Sequence, residues 1–477
     1  MLTKPRTVCF CQPVASTISA SFTSLARFII AMTSAFLLLR DSVAPFCARG
    51  ALVGDFFAFP FAGATSAAGC SGWVYTTQKP GVHNRNSGLE MIQSSSPSPL
   101  AHVSPKPPAE TIPARLCSLD AFRGATMALM VLVNTPGGPN SYGPLNHSEW
   151  NGWTVTDVVF PSFLWIVGVA ITLSLGQRIA AGVPKSRLFL QVLRRAAIIF
   201  GLGLIVYAAP DFNLSTQRLL GVLQRIAICY LIASAIYLTT RWRMQVIWIV
   251  ALVVSYWLMM MLVPVPGYGA GDLAPGHNIA NYVDRVVLGA HNYAGTKHWD
   301  PEGLLSTLPS IATALLGIMA GHILKLKRDL SERTAWLYLA GSILIALGLI
   351  CNIWLPINKK LWTSSFSLFM AGMDFVIFAG FVWLIDGRGY QRYARPLVIM
   401  GMNAIAVYLA SELLEEVLSF VHVGGPARPS VHEWIYQTLF APLASARNAS
   451  LAYAICYVLL MYAIAYGMHK KRWFLKV

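Results

Sequence analysis

The sequence predicts an all-α protein: a polytopic integral membrane bundle of about ten transmembrane helices, with N- and C-termini in the cytoplasm. Three observations carry that prediction. Charged residues are only 12% of the 477 and hydrophobic ones 56%, with a mean hydropathy of +0.56, whereas a soluble domain averages about 25% charged. Apolar runs such as 198–209, 245–263 and 337–355 recur along the chain and approach the roughly 20 residues that cross a bilayer core. In lipid every backbone group must bond internally, so these spans should be helices; the alternating pattern of a membrane β-barrel is absent from the sequence. The third observation is where the net charge of +16 lies. Arg178, Lys185, Arg187, Arg194, Arg195, Arg241, Arg243, Lys325, Lys327, Arg328, Arg333, Arg388, Arg392, Arg395 and the C-terminal Lys470, Lys471, Arg472 and Lys476 fall on one side of the expected spans. The other side holds only Arg218, Arg285, Lys297, Lys359, Lys360, Arg428 and Arg447. That is the positive-inside pattern. The basic charge is a topology signal, and no nucleic-acid partner is expected.

The spans are expected at 118–136, 155–176, 192–210, 219–239, 245–263, 304–324, 335–354, 362–384, 396–420 and 450–468. The first opens on SLDAFRG, which puts Asp120 and Arg123 three residues apart on one helix face, as an ion pair or at a ligand phosphate. Between the first and second spans runs VLVNTPGGPNSYGPLNHSEWNGWTVTDVVFP, gathering Asn134, His147, Glu149, Trp150 and Asp157. Trp150 and Trp153 are expected to anchor it at the membrane interface. The fourth span carries Gln224 and Arg225 about a turn and a half past its start, too deep for an idle arginine, so Arg225 is expected to line a cavity. The connection 264–303 holds His277, His291 and His298 without a metal-ligand spacing, and no metal is expected. Before the eighth span, LPINKKLWTSSF sets Lys359, Lys360 and Trp362 at an interface, as an anchor or facing substrate. SELLEE in the ninth span places Glu412 deeper than Glu415 and Glu416. Ionisable groups at such depth usually face a cavity or a partner.

Two features stand apart. Residues 1–116 are expected to be a poorly structured extension: 1–90 lack helical periodicity and 93–113 are the Pro/Ser-rich linker QSSSPSPLAHVSPKPPAETIP; translation is expected to start at Met91, or 1–90 is a disordered extension or a cleaved targeting segment. Cys117, Cys229, Cys351 and Cys456 lie in or beside spans without a paired motif and read as small buried hydrophobes.

Several stretches in order resemble the transmembrane acetyltransferase family of heparan-α-glucosaminide N-acetyltransferase and its bacterial relatives. They are SLDAFRG, LMVLVN, NHSEWNGWTVTDVVFPSFLWIVG, RLLGVLQR, LVPVPGY, WDPEGLLSTLPSIATALLG, INKKLW and GMNAIAVY, which together span nearly all of 117–477. The resemblance implies that 117–477 is an acyltransferase domain carrying acetyl from cytoplasmic acetyl-CoA, as cosubstrate rather than resident cofactor, to a glucosamine amine across the membrane. It implies His147 as the catalytic histidine and Asn134 as the functional asparagine, although the connection between them differs in length. Chemistry suggests the remaining roles: Glu149 or Asp157 orients the imidazole, Asn134 donates to an oxyanion, and Arg123 and Arg225 meet CoA phosphates. The family's eukaryotic enzyme has a luminal domain that 1–116 do not resemble, and Ser411 stands where that enzyme would carry His. The implied acceptor is therefore an amino sugar or glycan of a cell envelope, and the implied location is a bacterial inner membrane. The lipid bilayer is the other expected partner, with a homodimer left open. Two rivals use the same polar groups: a transporter with a polar cavity, against which no inverted repeat is evident, and an O-acyltransferase.

Overall fold

The computed structural model of the chain describes residues 116–209, 213–422 and 428–475. The expectations for 1–115 lie outside them. Among the described residues the chain is helical throughout: α1 (Cys117–Asn134), α2 (Val155–Ala180), α3 (Lys185–Ala208), α4 (Val222–Thr239), α5 (Trp242–Leu262), α6 (Ile279–Leu288), α7 (Thr307–Leu324), α8 (Leu330–Cys351), α9 (Ser364–Phe381), α10 (Gln391–Met402), α11 (Ala404–Phe420), α12 (Val431–Ile435) and α13 (Ala446–Lys470). A π-helical turn, Val382–Gly387, extends α9.

Each expected span meets a helix. Eight helices are long and apolar enough to cross a membrane among the described residues: α2, α3, α4, α5, α7, α8, extended α9 and α13. α10 and α11 qualify together as a ninth, bent by 65°. α1 falls outside because Asp120, Arg123 and Asn134 occupy three of its 18 residues. It is nevertheless packed against α2, α10 and α13, with Phe122, Met127 and Val131 buried.

Lipid tails are as apolar as leucine, so close packing rather than water exclusion joins membrane helices. Small residues supply that packing here. A Cβ on Gly317 of α7 would sit 2.0 Å from the Trp165 carbonyl oxygen of α2, and one on Gly168 would sit 1.9 Å from that of Ala314. α1 and α10 meet the same way: a Cβ on Gly124 would lie 1.8 Å from the Leu397 oxygen. Gly317→Leu is therefore expected to force α2 and α7 apart and destabilise the protein by more than about 1–3 kcal/mol. Thermal unfolding in detergent checks this, and a midpoint unchanged from wild type would refute it.

α2, α7 and α9 are largely buried, whereas α3, α5, α8 and α13 turn mostly outward. The three inner helices share a further property. The connections that feed their N-termini, 135–154, 289–306 and 352–363, carry the polar residues from which the site is built.

Candidate active site

Asp157 is the centre of the arrangement. It is the third residue of α2, and its carboxylate reaches back to the Thr154 N–H (3.0 Å) and hydroxyl (3.1 Å), a capping arrangement that also suits the helix dipole. The same oxygen accepts from the Ser148 N–H at 3.0 Å. The Thr154 hydroxyl also reaches the Asn146 carbonyl at 2.6 Å. The chain is thus folded tightly around a fully buried carboxylate, and His147 is held at its edge. His147 Nδ1 lies 2.7 Å from Asp157 Oδ1. A carboxylate can only accept, which assigns the proton to Nδ1 and leaves Nε2 with its lone pair. The ring is 51% exposed and Asp157 is 0% exposed, so the base is open to a solute while its partner is not.

Lys359 comes from the connection before α9. That segment is tied to the His147 connection by Gly152, whose N–H donates to the Ile357 carbonyl at 2.8 Å, and by Asn358 Nδ2 to Asn151 Oδ1 at 3.3 Å. Gly152 has φ +95°, a conformation that favours glycine. The segment is braced internally: Thr363 Oγ1 donates to the Pro356 carbonyl at 2.8 Å and accepts the Asn358 N–H at 3.1 Å. Buried Trp362 takes φ +47°, rare for a bulky side chain and a mark of a tightly constrained position. These ties bring Lys359 Nζ to 3.0 Å from His147 Nδ1, 3.5 Å from Nε2 and 3.5 Å from Asp157 Oδ1. Burial pushes the Lys359 ammonium below its ordinary range, against the pull of Asp157 and Glu302.

The third connection contributes an ionic network. Arg218 grips Asp300 with two bonds, Nε at 2.8 Å and Nη2 at 2.5 Å, and also holds Glu302. Its guanidinium is flanked by Tyr207 (4.9 Å) and Tyr293 (4.7 Å). Burial works to raise the Glu302 carboxyl, yet the Arg218, Arg225 and Lys359 cations outweigh it and hold it below the ordinary range. Asp284 of α6 faces the same network and accepts N–H groups from Leu304 (2.9 Å) and Asp300 (3.4 Å). Burial nonetheless pushes its carboxyl up to about 6. With the unfolded value at about 3.9, the folded state binds the extra proton. The stability this contributes is complete below about pH 4 and is lost as pH rises through the folded value. Asp284→Asn is expected to remove that slope, which in wild type is worth on the order of 2–3 kcal/mol. Parallel thermal-unfolding profiles for the two proteins between pH 4 and 7 would refute it.

Asn134, at the end of α1, donates to Glu412 Oε1 at 3.2 Å, and among the described residues no hydrogen bond joins either of them to His147. The connection that follows is clamped. His432 Nε2 donates to the Gly137 carbonyl at 3.2 Å, while its Nδ1 faces Glu415 Oε1 at 2.7 Å. The hydrogen bond to Glu415 raises the His432 imidazole above its usual range. Ser450 meets the Gly138 N–H at 3.3 Å.

A cavity of about 350 Å³ opens between α1, α2, α3, α4 and the α10–α11 break. Arg123 and Arg195 supply its cations, Met127, Phe163 and Ile199 part of its apolar wall, and Tyr408 stands one turn before Glu412. Buried Asn403, at the break, also lines it, and neither polar atom of its amide has a hydrogen-bond partner among the described residues.

Several expectations shift. Asp120 and Arg123 do pair, at 3.1 Å, and Arg123 also lines the cavity. Arg225 does not line it: Val222, Leu223 and Ile226 present the cavity face of α4. Arg225 instead donates to the Gly303 carbonyl at 2.9 Å and lies 5.2 Å from the Trp362 ring, while Gln224 is buried without a hydrogen-bond partner among the described residues. The reason is that α4 is apolar nearly all round, so sequence alone could not orient it. Asp157, not Glu149, holds the imidazole; at residue 149 it is the backbone carbonyl that is engaged, by Lys360 at 2.5 Å. Trp150 and Trp153 pack on protein, against Trp299 (5.5 Å) and Phe369 (5.4 Å), and the Trp150 indole donates to Leu273 O at 3.0 Å. Asp300, Glu302, Arg195 and Asn403 were not singled out as site residues from sequence; the acidic WDPEG stretch was the available signal.

Fold and site together define a multi-pass helical membrane protein with a histidine–aspartate pair at the head of an inner helix. A family model described as heparan-alpha-glucosaminide N-acetyltransferase, catalytic, matches residues 115–357, just over half of the chain. The chain is 31% identical to heparan-alpha-glucosaminide N-acetyltransferase of Homo sapiens over 366 residues, 65% of this chain and 54% of that protein. Against the Mus musculus protein the identity is 31% over 363 residues, 64% of this chain and 54% of that protein. The chain belongs to the heparan-alpha-glucosaminide N-acetyltransferase catalytic family. It spans about half the length of the curated relatives it matches.

Proposed function

We propose that the chain is a membrane-embedded acetyltransferase, its core at 117–477. In this reading it moves acetyl from cytoplasmic acetyl-CoA to the amine of a glucosamine-like sugar or envelope glycan on the opposite side of a bacterial inner membrane. The observation that carries this is His147: Nδ1 is committed to buried Asp157, and Nε2 keeps its lone pair on a half-exposed ring, with Lys359 Nζ 3.5 Å away. Nε2 can take the proton of an attacking amine, or accept the acetyl group itself and pass it on. Asn134, held by Glu412, is assigned to polarise the acyl carbonyl. The cavity suits the donor: Arg123 and Arg195 would meet CoA phosphates, and the Asn403 amide would bond a polar group of the arm between the apolar walls. Gln224, Arg225 and Trp362 then support the site from behind instead of touching CoA.

The test is purified protein in detergent with radiolabelled acetyl-CoA and glucosamine. Base-stable labelled N-acetylglucosamine is the expected product. Base-labile product would favour O-acylation, and no binding of acetyl-CoA would favour the transporter.

A further inference from the structure

If His147 takes a proton or an acetyl group at Nε2, negative charge develops on the acyl oxygen beside it, and a cation there would share that charge with Asn134. The closest cation is Lys359. Its Nζ lies 3.5 Å from Nε2 and 3.0 Å from Nδ1, at the edge of the ring shared by both nitrogens. The Nδ1 position already carries the proton given to Asp157, so the only lone pair the ring offers Lys359 is that of Nε2, at a long 3.5 Å. Its protons are left for Asp157 Oδ1, at 3.5 Å, and for an incoming group. An amine nitrogen ~2.6–3.2 Å from Nε2 and an acyl oxygen ~2.7–3.1 Å from Nζ fit across the gap between the two.

We propose that Lys359 is a catalytic residue of the acetyl transfer, holding the carbonyl oxygen of the acetyl group as it becomes an oxyanion. The proposal rests on the acetyltransferase reading above. The amine nitrogen forms a bond to the thioester carbon, and the carbonyl π pair moves to oxygen, against the Lys359 ammonium. His147 Nε2 takes the amine proton. The C–O double bond re-forms, the C–S bond breaks, and the CoA thiolate takes the proton from His147. Lys359 keeps all its protons throughout. The same placement serves an acetyl group carried on Nε2.

The setting favours this role over that of an anchor. The side chain is 16% exposed and is carried on a segment braced by Asn358 and Thr363, so it is preorganised. The charged and titratable groups around it come from each surrounding element: Asp157 of α2, His147 of its connection, Glu302 before α7, and Lys360 of its own segment. A lysine that must stay charged in so buried a place sets an upper pH limit to activity below the ordinary lysine range.

The test compares wild type, Lys359→Met and Lys359→Arg in the acetyl-CoA-to-glucosamine assay. Lys359→Met should lower kcat about 10²–10³-fold, with KM for acetyl-CoA and glucosamine within a few fold. Lys359→Arg should recover at least tenfold over Met and move the alkaline limb of kcat upward, because guanidinium does not deprotonate there. This second variant keeps the charge and so carries the test if Lys359→Met does not fold. Lys359→Met within threefold of an active wild type would overturn the proposal alone, as would an effect confined to KM or an alkaline limb unmoved in Lys359→Arg. Failure of wild type to transfer acetyl to any amine would remove the acetyltransferase reading and the proposal with it.

Discussion

His147→Ala is expected to lower kcat for acetyl transfer by about 10²–10⁴-fold while leaving acetyl-CoA affinity near wild type. The two halves of that expectation come from different parts of the structure. Of the groups around Lys359 the imidazole is the one that offers a nitrogen lone pair, at Nε2, so its removal leaves the amine without a proton acceptor or the acetyl group without a carrier. The cavity assigned to the donor is lined from α1, α2, α3, α4 and the α10–α11 break and does not include His147. Steady-state kinetics with a separate acetyl-CoA binding measurement checks both halves. Equal activity in mutant and wild type would remove His147 from the mechanism, and lost binding would move it into the donor site.

Asp157→Asn should be nearly as damaging, with kcat lower by about 10²–10⁴-fold, although the side chain keeps its size. The Ser148 and Thr154 N–H groups need an acceptor at 3.0 Å, and the amide oxygen will serve them. The amide NH₂ then faces His147 Nδ1, which must become an acceptor, and the imidazole proton moves to Nε2. That tautomer cannot take a proton from the amine. The variant also leaves Lys359 without its nearest counter-charge. Because the two residues act as one unit, His147→Ala/Asp157→Asn should be scarcely slower than His147→Ala alone. Multiplicative losses in the double mutant would show that Asp157 works independently of the imidazole.

The sequence made the helices legible because the bilayer imposes a length on every apolar run; the expected 155–176 and 304–324 fall inside or against α2 and α7. It did not reveal the 65° break between Met402 and Ala404. That bend lies beside Gly401, where a Cβ would sit 2.0 Å from the Asp120 carbonyl oxygen of α1, a contact between residues 281 positions apart. Nor did it reveal α6, a short helix within the connection 264–303, too brief to carry a membrane signal. The site divides along the same line. His147 and Asp157 could be paired from sequence because ten residues and one helix start separate them. Lys359 reaches them across 212 residues, through a backbone tie at Gly152 that no local pattern announces. Asp300 and Glu302 look like ordinary loop acids until Arg218 is placed against them. Arg225 turns from this cavity toward Gly303 and Trp362, a direction that an almost uniformly apolar helix does not announce because it offers no stripe.

The His147 connection is fastened near both ends, at Gly137–Gly138 by His432 and Ser450 and at Gly152 by the Ile357 carbonyl, and between them Tyr142 bonds Asn448 and Trp150 bonds Leu273. Between the fasteners the chain passes through the largely exposed turn Tyr142–Pro144. Residues inserted there would lengthen a closed loop whose ends are already fixed, and even doubling such a loop costs only about 0.6 kcal/mol. Added residues there would therefore change the spacing between Asn134 and His147 while the ties at Gly137–Gly138 and Gly152 hold the two ends in place.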